Sequence, residues 1–123
     1  MGGRTSESKD SAVPIERIES RILLVRGHKM LLDADLAALY RVSTKRFNEQ
    51  VRRNAARFPE DFMFRLSAEE WDSLRSQFAT LKAGRGQHRK YLPIGFTEHG
   101  AIMAATILNS PRATEVSVYV VRA

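Results

Sequence analysis

The alternation of apolar and polar positions separates a short polar N-terminal stretch from a longer segment with regular periodicity. Residues 1–13 contain Gly, Ser, Lys, Asp and Glu with almost no apolar side chain. Such a segment cannot repay the entropy that ordering costs. The sequence therefore predicts a disordered tail over residues 1–13 and one globular domain over residues 14–123.

The first apolar runs of this domain predict a β-hairpin. Residues 22–25 and 30–32 are apolar, and the polar residues 26–29 separate them. Gly27 can supply the positive φ that a tight turn between two strands requires.

Two helices are predicted after the hairpin. Asp33 is placed to cap a short helix that ends near Tyr40, and Ser43 or Thr44 is placed to cap a second helix. The second helix reaches about Ala55 before Pro59 stops it. The residues expected to face inward are Leu36, Leu39, Tyr40, Phe47 and Val51.

The next stretch predicts two more strands with a helix between them. Residues 62–66 alternate like a strand, and residues 67–70 form a capping box that opens a helix. The polar, glycine-bearing residues 80–90 predict a flexible loop. Residues 91–96 predict a strand at a sheet edge, because Pro93 cannot donate to a β-ladder.

The C-terminal pattern predicts an apolar helix from Thr97 to Leu108 and one further element. Ser110 as a cap and Pro111 at the first helical position announce a last helix, although its alternating valines also suit a strand. The predicted fold class is α+β: a small single domain with an N-terminal β-hairpin, a helix-turn-helix unit, short additional strands and C-terminal helices.

The spacing of the two helices after the hairpin is that of a helix-turn-helix. Helices joined by a short turn pack closely only if a small residue faces the crossing, and Ala37 is placed for that. Val42 in the turn, with Phe47 and Val51, can then fill the gap between the helices. Arg41 stands where this turn often has glycine, so it must tolerate the backbone angle.

Charge is concentrated on this unit. The chain has 20 Lys and Arg against 14 Asp and Glu, a net charge of +6, and residues 41–57 hold six basic residues and one acid. Helical steps of about 100° from Phe47 define the outer face. This face carries Lys45, Glu49, Arg52, Arg53 and Ala56, with Arg46 on its flank. Such a helix favours a polyanionic partner such as nucleic acid, although solvated basic faces are also common.

Side-chain chemistry assigns these residues two roles in a complex with double-stranded DNA. The base-reading candidates are Asn48, Arg52, Thr44 and Glu49, whose polar groups suit base edges. Asn48 and Arg52 are expected to project from the exposed face of the helix or from its edge. The phosphate candidates are Lys45, Arg46, Arg53 and Arg57 near the helix, and Lys82, Arg85, Arg89 and Lys90 in the basic loop. For the loop residues, plain solvation is an equally good interpretation.

No pattern of a reaction centre is visible in the sequence. Glu98 and His99 stand at a predicted helix start, but one acid and one histidine without a nucleophile or metal define no reaction. The three histidines lack metal-ligand spacing, there is no cysteine, and no apolar run could span a membrane. The sequence thus predicts a cytoplasmic protein that is not an enzyme, with no metal, cofactor, membrane partner or small-molecule substrate.

Three stretches of the chain resemble the KilA-N-like DNA-binding domain of phage and bacterial proteins, in the branch known as the ORF-six N-terminal domain. They are residues 31–40, residues 48–54 with 57–64, and residues 91–93 with 96–100. The resemblance extends over about residues 18–122. It implies DNA binding, commonly by the front module of a phage or prophage regulatory or antirepressor-like protein. The family tends to have Gln where this chain has His99.

Two other interpretations stay open. In the first, the last helix docks a partner or a second copy, since Val116, Tyr119 and Val120 recur at helical spacing. The alternative for these residues is that they close the core of the monomer. The second interpretation, a nuclease-like enzyme, needs clustered carboxylates or a His-metal site, and neither is visible.

Overall fold

The computed structural model describes residues 18–81 and 92–123, with the backbone alone for residues 77–81. The predicted tail over residues 1–13 lies outside the described residues, as do residues 82–90 of the loop predicted over residues 80–90; its first two residues, 80 and 81, are helical instead. The strands are β1 (Leu23–Val25), β2 (His28–Leu32), β3 (Met63–Arg65) and β4 (Ile94–Phe96). The helices are α1 (Asp33–Leu39), α2 (Thr44–Arg53), α3 (Ala68–Leu81), α4 (Glu98–Leu108) and α5 (Pro111–Arg122), with a 3-10 turn at Ala55–Arg57. The fold is α+β, as predicted.

The N-terminal hairpin closes through a two-residue turn. Val25 pairs with His28, which leaves Arg26 and Gly27 as the central turn residues. Their φ angles are 53° and 79°, and a type I′ turn requires positive φ at both positions. The prediction that Gly27 supplies a positive φ is confirmed, and Arg26 adopts the same region despite its side chain.

The four strands form one antiparallel sheet in the order β1-β2-β4-β3. β4 therefore lies inside the sheet, and its prediction as an edge strand is wrong. The reason is that Pro93 precedes the strand, so its missing N–H is not needed in the ladder. Its carbonyl instead accepts a hydrogen bond from the backbone N–H of Leu66 at 3.0 Å.

Each face of the sheet covers a separate core. Phe96 on one face packs among α1, α2, α4 and α5. Met30 on the other face packs with Trp71 and Leu74 of α3. Gly95 lets the Met30 side chain lie close against β4 on this face, since a Cβ there would lie 2.9 Å from Met30 Cε. The face that carries Phe96 is the one against which α2 packs.

The capping box of α3 forms as predicted and also holds the hairpin turn. Glu70 Oε1 accepts the Ser67 backbone N–H at 2.8 Å, and Ser67 Oγ accepts the Glu70 backbone N–H at 3.1 Å. Arg26 donates to both carboxylate oxygens of Glu70, at 2.7 and 3.0 Å, and lies 3.9 Å from the centre of the Phe64 ring. The turn is therefore fixed to α3 by charge and to β3 by stacking.

The Glu70 contacts predict an acid-dependent loss of stability. The hydrogen bond from Arg26, followed by that from the Ser67 backbone, lowers the pKa of Glu70 from 4.5 to about 2. A lowered pKa in the folded state stabilises the fold above the unfolded pKa, and this contribution is lost as the pH falls towards 2. Glu70→Gln keeps a capping side chain but loses the charge. We therefore expect the variant to be less stable than wild type near neutral pH, and the difference to shrink below pH 4.5.

Urea unfolding at a series of pH values measures this difference. Glu69→Gln is the matched control, because Glu69 is exposed and forms no ion pair among the described residues. A stability gap between wild type and Glu70→Gln that does not change with pH would contradict the assignment.

The last element is a helix, not a strand. Ser110 Oγ caps it by accepting the Ala113 backbone N–H at 3.1 Å, as predicted. Val116 and Val120 are buried, which confirms for these two residues the alternative that they close the core of the monomer. The exposed valines of α5 are Val118 and Val121. Dimerisation through α5 stays a prediction.

Candidate nucleic-acid interface

Helices α1 and α2 are joined by residues 40–43, in a turn that the backbone satisfies internally. The Arg41 N–H donates to the Ala38 carbonyl at 3.1 Å, and the Val42 N–H donates to the Ala37 carbonyl at 2.9 Å. This pair of bonds is the Schellman motif, which places its left-handed residue directly after the C-cap. Arg41 takes that position with φ of 60°, as its place in the sequence predicted.

The two helices cross over a small residue, and the predicted inward side chains fill the contact. Ala37 is 1% exposed, Phe47 is fully buried and Val51 is 3% exposed. Ser43 caps α2 by accepting the Arg46 backbone N–H at 3.1 Å. Asp33 does not cap α1 as predicted: the helix begins at Asp33 itself and its N-cap is Leu32.

Three contacts fix the α1–α2 unit to the rest of the domain. The buried Tyr40 hydroxyl donates to the Ala101 carbonyl of α4 at 2.8 Å, and burial raises the pKa of Tyr40, which keeps the hydroxyl protonated. The Phe47 ring packs edge-on against Phe96 of β4, with 5.2 Å between centroids. Arg112 of α5 donates to the Leu39 carbonyl at the end of α1, at 3.2 Å. The unit is therefore anchored to α4, β4 and α5.

The outer side of α2 is a surface of exposed cations. We call it the basic face, and it consists of Lys45, Arg46, Arg52 and Arg53, all exposed. Within the part of the chain that the structure describes, the ion pairs are Arg21–Asp35, Arg26–Glu70 and Arg75–Asp72. None of these pairs includes a residue of the basic face, so its positive charge is available to an anionic ligand. Arg41, in the turn before α2, and Arg57, in the 3-10 turn after it, are also exposed.

Asn48 does not project freely from α2 as the sequence suggested. It is half-buried, and its Nδ2 donates to Asp33 Oδ2 at 3.0 Å. Asp33 is 2% exposed, and its Oδ1 accepts the Ala34 backbone N–H at 2.9 Å. Among the described residues, Asn48 Oδ1 is the one buried side-chain oxygen or nitrogen without a hydrogen-bond partner.

A cleft of about 830 Å³ opens beside Asn48, between α2 and the sheet. Thr44, Asn48 and Arg52 line it from α2, and Arg65 lines it from β3. Three of the four predicted base-reading residues therefore share one cleft. The fourth, Glu49, is half-buried and lies outside that lining.

Sequence reasoning missed Arg65. Its Nη1 donates to the Leu92 carbonyl at 2.6 Å, which orients an exposed guanidinium at the rim of the cleft. The alternation of residues 62–66 indicated an exposed Arg65, but no local signal placed this strand next to α2.

The other residues that the sequence singled out do not belong to α2. Lys82, Arg85, Arg89 and Lys90 lie outside the described residues. The hairpin turn is another basic segment, and its Arg26 forms an ion pair with Glu70. Glu98 and His99 open α4, where the His99 ring stacks on Phe62 at 5.6 Å between centroids. No group of three metal-ligating side chains is found in residues 18–81 and 92–123, and no helix in those ranges has the length and hydropathy of a membrane span.

Comparison with known proteins gives one finding. The family model described as "ORF6N domain" matches residues 20–107. The match includes α1, α2 and β3, so it covers both the basic face and the cleft beside Asn48. No curated protein and no solved structure matches the chain significantly.

Proposed function

The chain belongs to the ORF6N domain family, and from this premise we propose that it binds double-stranded DNA through α2 as part of a phage- or prophage-type regulatory protein. The observation that carries the proposal is the basic face, which presents four cations from one short helix, none of them in an ion pair with another described residue. Resemblance to a DNA-binding family and the local charge point to the same partner.

The shape of α2 suits the major groove. The groove of B-DNA is about 12 Å wide and admits an α-helix, and α2 has 10 residues, which corresponds to about 15 Å of helix. Its core-facing side is fixed by Phe47 and Val51, so the opposite side can enter the groove without rearrangement of the fold. Lys45, Arg46 and Arg53 are then placed for phosphates, and Arg52 for a base edge.

DNA affinity is expected to depend strongly on salt. If four to six phosphates are neutralised, the plot of log K against log[salt] has a slope of about −4 to −5. Between 50 and 200 mM salt the affinity then falls by about three hundredfold to a thousandfold. Fluorescence anisotropy titrations of the purified chain with a labelled random duplex measure this slope.

The same titration with a duplex obtained by selection from random sequences separates phosphate binding from sequence reading. A selected site is expected to bind more tightly while keeping a similar salt slope, because base contacts add affinity without releasing many more counterions. An affinity that does not change with salt concentration, or no binding at low salt, would contradict the proposal that the chain binds DNA.

A further inference from the structure

We propose that Asp33 is a positioning residue that holds Asn48 as a hydrogen-bond acceptor for the exocyclic amine of a DNA base. The proposal rests on the proposed function and deepens it, because it names the chemical group that α2 selects. It starts from two observations: the 3.0 Å bond from Asn48 Nδ2 to Asp33 Oδ2, and the unpartnered Asn48 Oδ1.

Asp33 determines which end of the Asn48 amide is free. Both carboxylate oxygens of Asp33 act as acceptors, one for the Ala34 N–H and one for Asn48. A carboxylate that only accepts requires the NH₂ end of the amide to face it. The opposite end, Oδ1, is then fixed as the carbonyl oxygen, and a flipped amide would place two acceptors against each other.

Asn48 Oδ1 is a buried oxygen that lacks a donor. Such groups are rare in folded proteins, because the lost hydration is not replaced by a hydrogen bond. Asn48 lines the cleft that Arg52 and Thr44 also line. A ligand that enters this cleft can bring a donor group to Oδ1 after a shift of the Asn48 side chain. The hydrogen bond formed there supplies the partner that this oxygen lacks.

The bases differ in what they offer to an acceptor. In the major groove, adenine N6 and cytosine N4 are donors, whereas guanine O6 and thymine O4 are acceptors. Asn48 Oδ1 therefore favours an adenine or cytosine amine and rejects a keto oxygen. In the usual bidentate contact of asparagine with adenine, the amide NH₂ also donates to N7. Here Asp33 takes one of its two hydrogens, so we expect the amine to matter more than N7.

Base analogues in a selected duplex test this preference on the wild-type chain. The position to modify is the one whose base preference is lost with Asn48→Ala. Replacing its adenine by purine, or its cytosine by the pyrimidinone analogue, removes only the amine, and we expect affinity to fall about tenfold or more. If the base is adenine, 7-deazaadenine keeps the amine and removes N7, and we expect a change of less than about threefold.

Asp33→Asn tests the positioning role. The new amide can donate as well as accept, so Asn48 is no longer held in one orientation. We expect the affinity ratio between the amine duplex and its amine-free analogue to fall towards one, with the salt slope unchanged. A purely structural role of Asp33 would lower both affinities together. Gln50→Ala is the matched control, since Gln50 is the other side-chain amide of α2, and it should leave the ratio unchanged.

The outcomes separate the two proposals. Absence of salt-dependent binding to any duplex overturns the proposed function, and this inference with it. In the other case, the wild-type chain binds DNA in a salt-dependent way and yet tolerates loss of the amine at every position of the selected site. That result overturns this inference and leaves the proposed function standing. If Asp33→Asn does not fold, as judged by circular dichroism, the analogue pair on the wild-type chain still decides.

Discussion

Phe47→Ala is expected to unfold the α1–α2 unit and to cost about 3–5 kcal/mol of unfolding free energy. Phe47 is fully buried, and its ring packs 5.2 Å from the Phe96 centroid and 6.4 Å from the Tyr40 centroid. Alanine therefore leaves a cavity at the point where α1, α2 and the sheet meet. Because domains of this size are stable by only about 5–15 kcal/mol, a large part of the total is lost. Urea or thermal unfolding followed by circular dichroism measures the change.

Val118→Ala is the control for Phe47→Ala. Val118 is 45% exposed on α5, and exposed substitutions of this kind usually change stability by less than about 0.5 kcal/mol. DNA binding of Phe47→Ala should be lost in parallel with its helical signal. A Phe47→Ala chain with the unfolding midpoint of wild type would show that the buried ring does not hold the unit together.

The local features of the fold could be predicted from the sequence because neighbouring residues determine them. The caps at Ser43, Ser67 and Ser110 form as expected, since a cap bonds to backbone groups three residues away. The left-handed backbone of Arg41 follows from the same short-range logic. The inward positions of Phe47 and Val51 follow from helical periodicity alone.

The features that sequence reasoning missed depend on contacts between distant segments. β4 lies between β2 and β3, and no local pattern of residues 91–96 specifies those neighbours. Helical periodicity placed Asn48 at the edge of the exposed face. In the structure Asn48 is instead held by a hydrogen bond to Asp33, which is 15 positions away in the chain. Arg65 reaches the cleft for the same reason, because pairing of β3 with β4 brings it there.

Burial of the last helix shows the same limit. Helical spacing identified Val116 and Val120 as one apolar stripe, but it cannot tell whether the stripe faces the chain's own core or a partner. Packing of α5 against α4 decides the question, because it encloses both valines in the core that also contains Phe96.

Removal of three cations from the basic face is expected to abolish most of the DNA affinity while leaving the fold intact. The triple variant Lys45→Ala, Arg46→Ala and Arg53→Ala keeps Arg52 as a candidate base reader. Loss of three phosphate contacts shifts the salt slope by about three units towards zero. At 0.1 M salt this corresponds to an affinity that is lower by roughly several hundredfold. The three side chains are exposed and form no ion pair within residues 18–81 and 92–123, so the unfolding midpoint should stay near that of wild type. Anisotropy titrations and circular dichroism on the same sample measure both quantities.

The matched control removes the same charge from elsewhere on the surface: Lys29→Ala, Arg75→Ala and Arg122→Ala. These residues are exposed on β2, α3 and α5, and the one ion pair that is lost, Arg75–Asp72, is an exposed pair worth little. If DNA responds only to net charge, both triple variants weaken binding equally. If α2 enters the groove, the control keeps most of the salt slope and the basic-face variant does not, because counterions are released only where cations meet phosphates. Equal losses in the two variants would therefore reject α2 as the contact surface even though the chain binds DNA.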